Sequence, residues 1–132
     1  MAKGIGDVIY NLLSNDGPVS TLVDTNIFPF LAIEDIPAPY IVFESGGLEP
    51  TDTKDGVSCL DKEVWDVSMY SETLAEVEDL ADKVRTVLDR YSGTVETLVI
   101  QSTTFQGEDG AYDDEDRLYI KVQSYSFRII KS

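Results

Sequence analysis

Histidine is absent from this chain and cysteine occurs once, at Cys59. Without histidine there is no Ser-His-Asp or Cys-His nucleophile and no imidazole metal ligand. One cysteine excludes an intrachain disulfide and a thiolate cluster within one chain, so Cys59 reads as a small buried hydrophobe or an idle loop thiol. No apolar run approaches the roughly 18–20 residues of a membrane span. The opening segment, Met1 to Asp7, lacks the apolar core of a secretory signal, which predicts a soluble protein that stays where it is made. No Gly-x-x-x-x-Gly-Lys-[Ser/Thr] loop is present, and Gly4-x-Gly6 lacks the preceding strand and third glycine of a dinucleotide fingerprint.

Bases are also scarce. Ten Lys and Arg stand against 25 Asp and Glu, a net charge of −15. Such a surface repels phosphate, which argues against binding nucleic acid by counterion release. The imbalance is uneven along the chain. No base falls between Lys3 and Lys54, whereas Arg117, Lys121, Arg128 and Lys131 occupy the last stretch without an acid among them. One end of the chain therefore attracts the other, within a subunit or between neighbours.

The 132 residues suit one domain spanning 1–132. A hydrophobic content of 42% is ordinary for a folded chain. Ile5, Val8, Ile9, Leu12 and Leu13 follow helical spacing, and Asn15-Asp16-Gly17-Pro18 stops that helix. Pro18 suits the first position of a short second turn through Leu22 and Val23. Pro29, Pro37 and Pro39 confine any strand at Ile27-Phe28 to a short edge. Tyr40 to Phe43 reads as a strand ended by Gly46-Gly47, and a polar loop, Gly46–Ser58, follows. Lys62 to Tyr70 alternates, with Trp65, Val67 and Met69 on one face. Thr73 and Glu76 form a capping box for a long helix whose face carries Leu74, Val77, Leu80, Ala81, Val84, Val87, Leu88 and Tyr91, with Gly93 as its stop. Thr94 to Phe105 reads as one strand, Gln106–Asp116 as an acidic loop, and Leu118 to Ile130 as the last strand. The apolar phase of that strand changes midway, which predicts a bulge near Gln123-Ser124. The sum is an α+β fold: an antiparallel or mixed sheet with an N-terminal helix and one long central helix packed on one face.

Three stretches hold groups with chemical potential. Glu108 to Asp116 clusters the oxygens that Ca²⁺ takes but lacks the alternating spacing of an EF-hand, so it reads as a solvated loop. Asp52-Thr53-Lys54 echoes half of a metal-dependent nuclease site, yet it falls in a loop between Pro50 and Gly56, where such a site needs a rigid strand. Tyr119, Tyr125 and Phe127, interleaved with Lys121 and Arg128, have the look of a stacking platform for single-stranded nucleic acid; core and sheet packing is the simpler use in so acidic a molecule.

The order of elements and several strings resemble the tail-completion, or tail-terminator, proteins of long-tailed phages. The matching stretches are the first helix through Leu12-Leu13-Ser14, Ile27-Phe28-Pro29, and Ala38-Pro39-Tyr40-Ile41-Val42-Phe43. Trp65-Asp66-Val67-Ser68-Met69-Tyr70, the helix Leu74 to Leu88, and Ser124-Tyr125-Ser126-Phe127-Arg128-Ile129 complete the series. The resemblance implies a non-enzymatic virion subunit with no cofactor and no metal. It implies a homo-oligomeric ring, usually a hexamer, on the head-proximal end of the tail and assembled in the host cytoplasm. Its expected partners are the tail tube protein and a head-completion or connector protein, with DNA passing through the lumen and no membrane contact. Gly46–Ser58 and Gln106–Asp116 are the expected contact loops. The interface residues expected from the charge pattern are Asp52, Lys54, Asp55, Asp113, Asp114, Asp116, Lys121, Arg128 and Lys131. The alternatives are another head-to-tail connector or minor tail protein, a Ca²⁺-dependent adaptor, and a Mg²⁺-dependent nuclease.

Overall fold

The computed structural model describes residues 4–24, 26–30, 37–50, 60–95 and 98–130, with backbone alone at 47–50 and 60–61. Helix α1, Ile5–Ser14, buries Ile5, Val8, Ile9 and Leu13, the stripe its spacing demands. Asp16 caps α2, Gly17–Val23, by accepting the Val19 amide at 3.1 Å, and Pro18 sits in its first turn. Strand β1, Ile27–Pro29, is three residues long and lies at a sheet edge, where the missing proline N–H costs nothing. Strands β2, Tyr40–Pro50, and β3, Leu60–Ser71, pair antiparallel, while β1 runs parallel to β2. Helix α3, Leu74–Leu88, follows, then β4, Gly93–Val95, β5, Leu98–Asp113, and β6, Leu118–Ile130.

The six strands form one mixed sheet in the order β1-β2-β3-β6-β5-β4. All three helices contact one another on a single face, with α3 lying over β6, β3 and β5 and α1 over β1 and β2. The core between them joins Ile41, Phe43, Val67, Met69, Tyr125 and Phe127 of the sheet to Val77, Leu80, Val84 and Leu88 of α3. Among the described residues no helix covers the other face, where register rows bring Tyr40, Tyr70 and Ile120 together. Tyr40 and Tyr70 stack there with ring centroids 4.6 Å apart.

Several sequence expectations need correction. β2 does not end at Gly46-Gly47 but continues to Pro50 through a register shift between Ser45 and Gly47. Glycine serves the close approach at that bulge, since a Cβ on Gly46 would lie 3.3 Å from the Val64 carbonyl oxygen. The segment Thr94 to Phe105 is not one strand, because β4 and β5 pair as an antiparallel hairpin. Gln106–Asp116 is not a loop: β5 runs through it to Asp113, since β6 offers a continuous ladder, and the turn occupies 114–117.

The bulge in that region lies in β5, between Phe105 and Gly107, and β6 itself pairs with β3 without interruption. Burial keeps to one face of this regular strand: Gln123, Tyr125, Phe127 and Ile129 are buried beneath the helices, whereas Leu118, Ile120 and Val122 of the other phase are only half-buried. Gly93 does not stop α3 either. The helix ends at Leu88, the turn is made by Arg90 at φ 64°, and Gly93 opens β4.

Candidate functional site

The expected interface residues do not gather in one place. Asp52, Lys54, Asp55 and Lys131 lie outside the described residues, as does Cys59. Asp113 closes the β5–β6 turn by accepting the Glu115 and Asp116 amides at 3.0 and 3.4 Å, and Asp114 and Asp116 stand exposed beside it. Lys121 lies on the helix-bearing face, 3.3 Å from Glu108 and 4.0 Å from Glu78. Arg128 lies on the opposite, helix-free face near the other end of β6 and is exposed. Among the described residues no group of three carboxylate or thiol side chains is placed to hold a metal ion.

Where β5 passes its bulge, a polar network ties it to α3. Gln123 is buried, and its amide nitrogen donates to the Ala81 carbonyl and to Glu108 Oε1, each at 2.9 Å. Its amide oxygen accepts from the Tyr125 hydroxyl at 2.5 Å. Burial alone would raise the Glu108 pKa, but the hydrogen bonds from Gln123 and Lys121 outweigh it and hold the carboxyl below its ordinary value. Burial pushes the Tyr125 phenol well above the usual tyrosine range. Next to this network the Arg85 guanidinium sits 3.8 Å over the Phe105 ring, which meets Tyr125 edge-on at 5.6 Å. Asp89 accepts from the Phe105 amide at 3.3 Å and Arg90 donates its amide to the Thr103 carbonyl at 2.9 Å. Helix end and sheet are therefore fastened together just before the acidic hairpin begins.

A second feature was not legible beforehand. Toward the β1 edge of the sheet, α1 and strands β1, β2 and β3 line an open apolar groove of about 610 Å³. Its walls include Tyr10, Phe30, Phe43 and Trp65, with the carboxylates of Asp7 and Glu63 at its margin. Phe30 adopts φ 62°, fixed by its amide donating to the Phe43 carbonyl at 2.7 Å, and its ring remains 58% exposed. That left-handed conformation is uncommon for a non-glycine residue. The Phe30 and Phe43 rings lie 6.2 and 6.1 Å from Trp65. Glu63 accepts the Trp65 indole N–H at 2.9 Å. Gly6 brings α1 against the same indole, since a Cβ there would come within 3.1 Å of it. In the sequence, Phe28-Pro29-Phe30 is uniformly apolar, and nothing in it singles out Phe30 for exposure.

The described residues thus form a scaffold with a buried polar tie and a surface groove. The chain belongs to the family described as tail completion protein gp17, whose profile matches residues 7–130. Family membership makes it a structural protein of the phage tail. Comparison with curated proteins gives no match. Among solved structures, the fold is similar to a chain from the "Virion of native gene transfer agent (GTA) particle". The TM-score is 0.79 at 13% identity, covering 92% of this chain and 91% of that one.

Proposed function

We propose that this protein caps the phage tail tube as a homohexameric ring, stops tube polymerisation and presents the surface to which the head docks. It is not an enzyme in this reading, and its place is the head-proximal end of the tail. The observation that carries the reading is the family match across residues 7–130, and a fold shared with a chain of a virion particle supports it. The partners are further copies of the chain, the tail tube protein and a head-completion or connector protein. Asp113, Asp114 and Asp116, together with Asp52, Lys54, Asp55, Lys121, Arg128 and Lys131, are the charged residues assigned to contacts. An acidic lumen lets DNA pass without adhering, because like charge keeps phosphate in solution.

The test is tube assembly in the presence of purified protein, followed by electron microscopy. The expected result is a ring on one end of each tube and arrested growth. Tubes that lengthen past bound protein overturn the reading. Protein found only against the portal favours the alternative, another head-to-tail connector. For the lumen, replacing Asp113, Asp114 and Asp116 together with asparagine is expected to slow DNA delivery. Unchanged assembly and delivery remove these residues from that role.

A further inference from the structure

Two features of opposite charge lie at the same end of the sheet on opposite faces. On the helix-bearing face, the aromatic groove carries Asp7 and Glu63, and no base lines it among the described residues. Across β3 and β6, Glu63 pairs with Phe127 and Lys62 with Arg128, so the pleat directs Arg128 away from the groove onto the helix-free face. There Lys62 stands between Glu49 of β2 and Arg128 of β6, whereas the neighbour of Arg128 in β5 is Ser102. Lys83, Arg85 and Lys121 each hold a carboxylate within their own subunit. Arg128 holds none among the described residues, although acids outnumber bases 25 to 10.

We propose that Arg128 of one copy seats in the aromatic groove of a second copy, its guanidinium meeting Asp7 and Glu63 and its stem lying against Phe30. An arginine matches both halves of the site, because its planar cation binds aromatic faces and carboxylates together. The flanking lysine supports the choice. Like charges opposite each other across two strands are unfavourable, and an acidic partner for Arg128 relieves that cost. The two surfaces differ, so the contact is heterologous and propagates head to tail, as ring closure requires. The inference rests on the ring reading and names the contact by which the ring closes.

The experiment is charge reversal read by sedimentation velocity. Arg128→Glu is expected to weaken self-association at least about tenfold. Asp7→Lys lowers the net negative charge and would strengthen assembly if general repulsion alone governed it; a docked Arg128 predicts weakening instead. The double variant is expected to recover association, while Asp79→Lys, equal in charge change and remote from the groove, does not weaken it. A second readout uses Asp7→Cys with Arg128→Cys in a Cys59→Ser background. These positions lie on opposite faces, and an arginine–carboxylate pair holds its Cα atoms farther apart than the roughly 7 Å a disulfide spans, so a ladder formed with a short bis-maleimide cross-linker reports contact between copies. Rings that persist unchanged in both single charge variants, or an absent ladder, overturn this contact and leave the ring reading standing. A wild-type chain that never self-associates, in solution or on tubes, overturns both.

Discussion

Gln123 shows how one buried polar side chain organises a region. It satisfies three partners at once, and all three lose a bond if it is replaced by an apolar residue of similar size. Gln123→Leu is therefore expected to cost about 2–3 kcal/mol in denaturant titration, because the Tyr125 hydroxyl is left buried and unpaired and the Ala81 carbonyl and Glu108 each lose a bond. Thr103 is the converse case. Its hydroxyl is buried without a hydrogen-bond partner among the described residues, so Thr103→Val is expected to leave stability unchanged or raise it by up to about 1 kcal/mol. The ionisable members of these networks set the pH response. Glu108 has a lowered folded pKa, so its contribution is present above the unfolded carboxylate value and lost as pH falls through the folded one. Tyr40, Tyr70 and Tyr125 have raised pKa values, chiefly from burial. The unfolded chain releases those protons first, so stability falls as pH rises past about 10. Thermal melts across acidic and alkaline pH check both signs, and Glu108→Gln should flatten the acidic arm.

At the scale of elements, the start of α3 departs from the reciprocal capping box that Thr73 and Glu76 suggest. Thr73 does accept the Glu76 amide at 3.1 Å, but the Glu76 carboxylate takes its bond from the Ser71 hydroxyl, and Ser71 in turn accepts the Thr73 amide at 3.4 Å. The last residue of β3 thereby joins the cap. Thr73→Ala is expected to cost about 1 kcal/mol, and Ser71→Ala should also destabilise α3 although it lies outside the helix. Melting temperatures of the two single variants and the double variant test whether the two act as one unit. For α1 the critical position is Gly6. Gly6→Val places a branched side chain against the Trp65 indole, with an expected cost of about 1–3 kcal/mol and a distorted groove. Helix positions were legible because their apolar spacing survives any packing arrangement. The acidic strand was not, since Glu108 to Asp113 has no alternation to mark it and pairs only because β6 lies alongside.

For the whole molecule, a net charge of −15 opposes association at long range. Added salt screens that repulsion within a Debye length of about 8–10 Å, whereas a contact enclosed by aromatic walls is screened less. Self-association is therefore expected to strengthen as salt rises from low to moderate concentration, measurable by light scattering. A monotonic loss of assembly with salt would contradict it. The helix-free sheet face and the aromatic groove give each subunit two unlike surfaces. That asymmetry is the property a cyclic assembly needs and a two-fold dimer does not.

By itself, the order of residues determined the positions of the three helices, of β3 and of β6, the apolar stripes of α1 and α3, the one-faced pattern of β3 and the absence of histidine chemistry. These depend on spacing and residue type, which travel with the chain. Tertiary structure alone decided that an acidic stretch becomes a strand, that Gln123 is buried, that Phe30 is held outward, and that Arg128 and Glu63 point to opposite faces. Each of those follows from register between strands distant in sequence, and a shift of one residue would turn every such side chain to the other face.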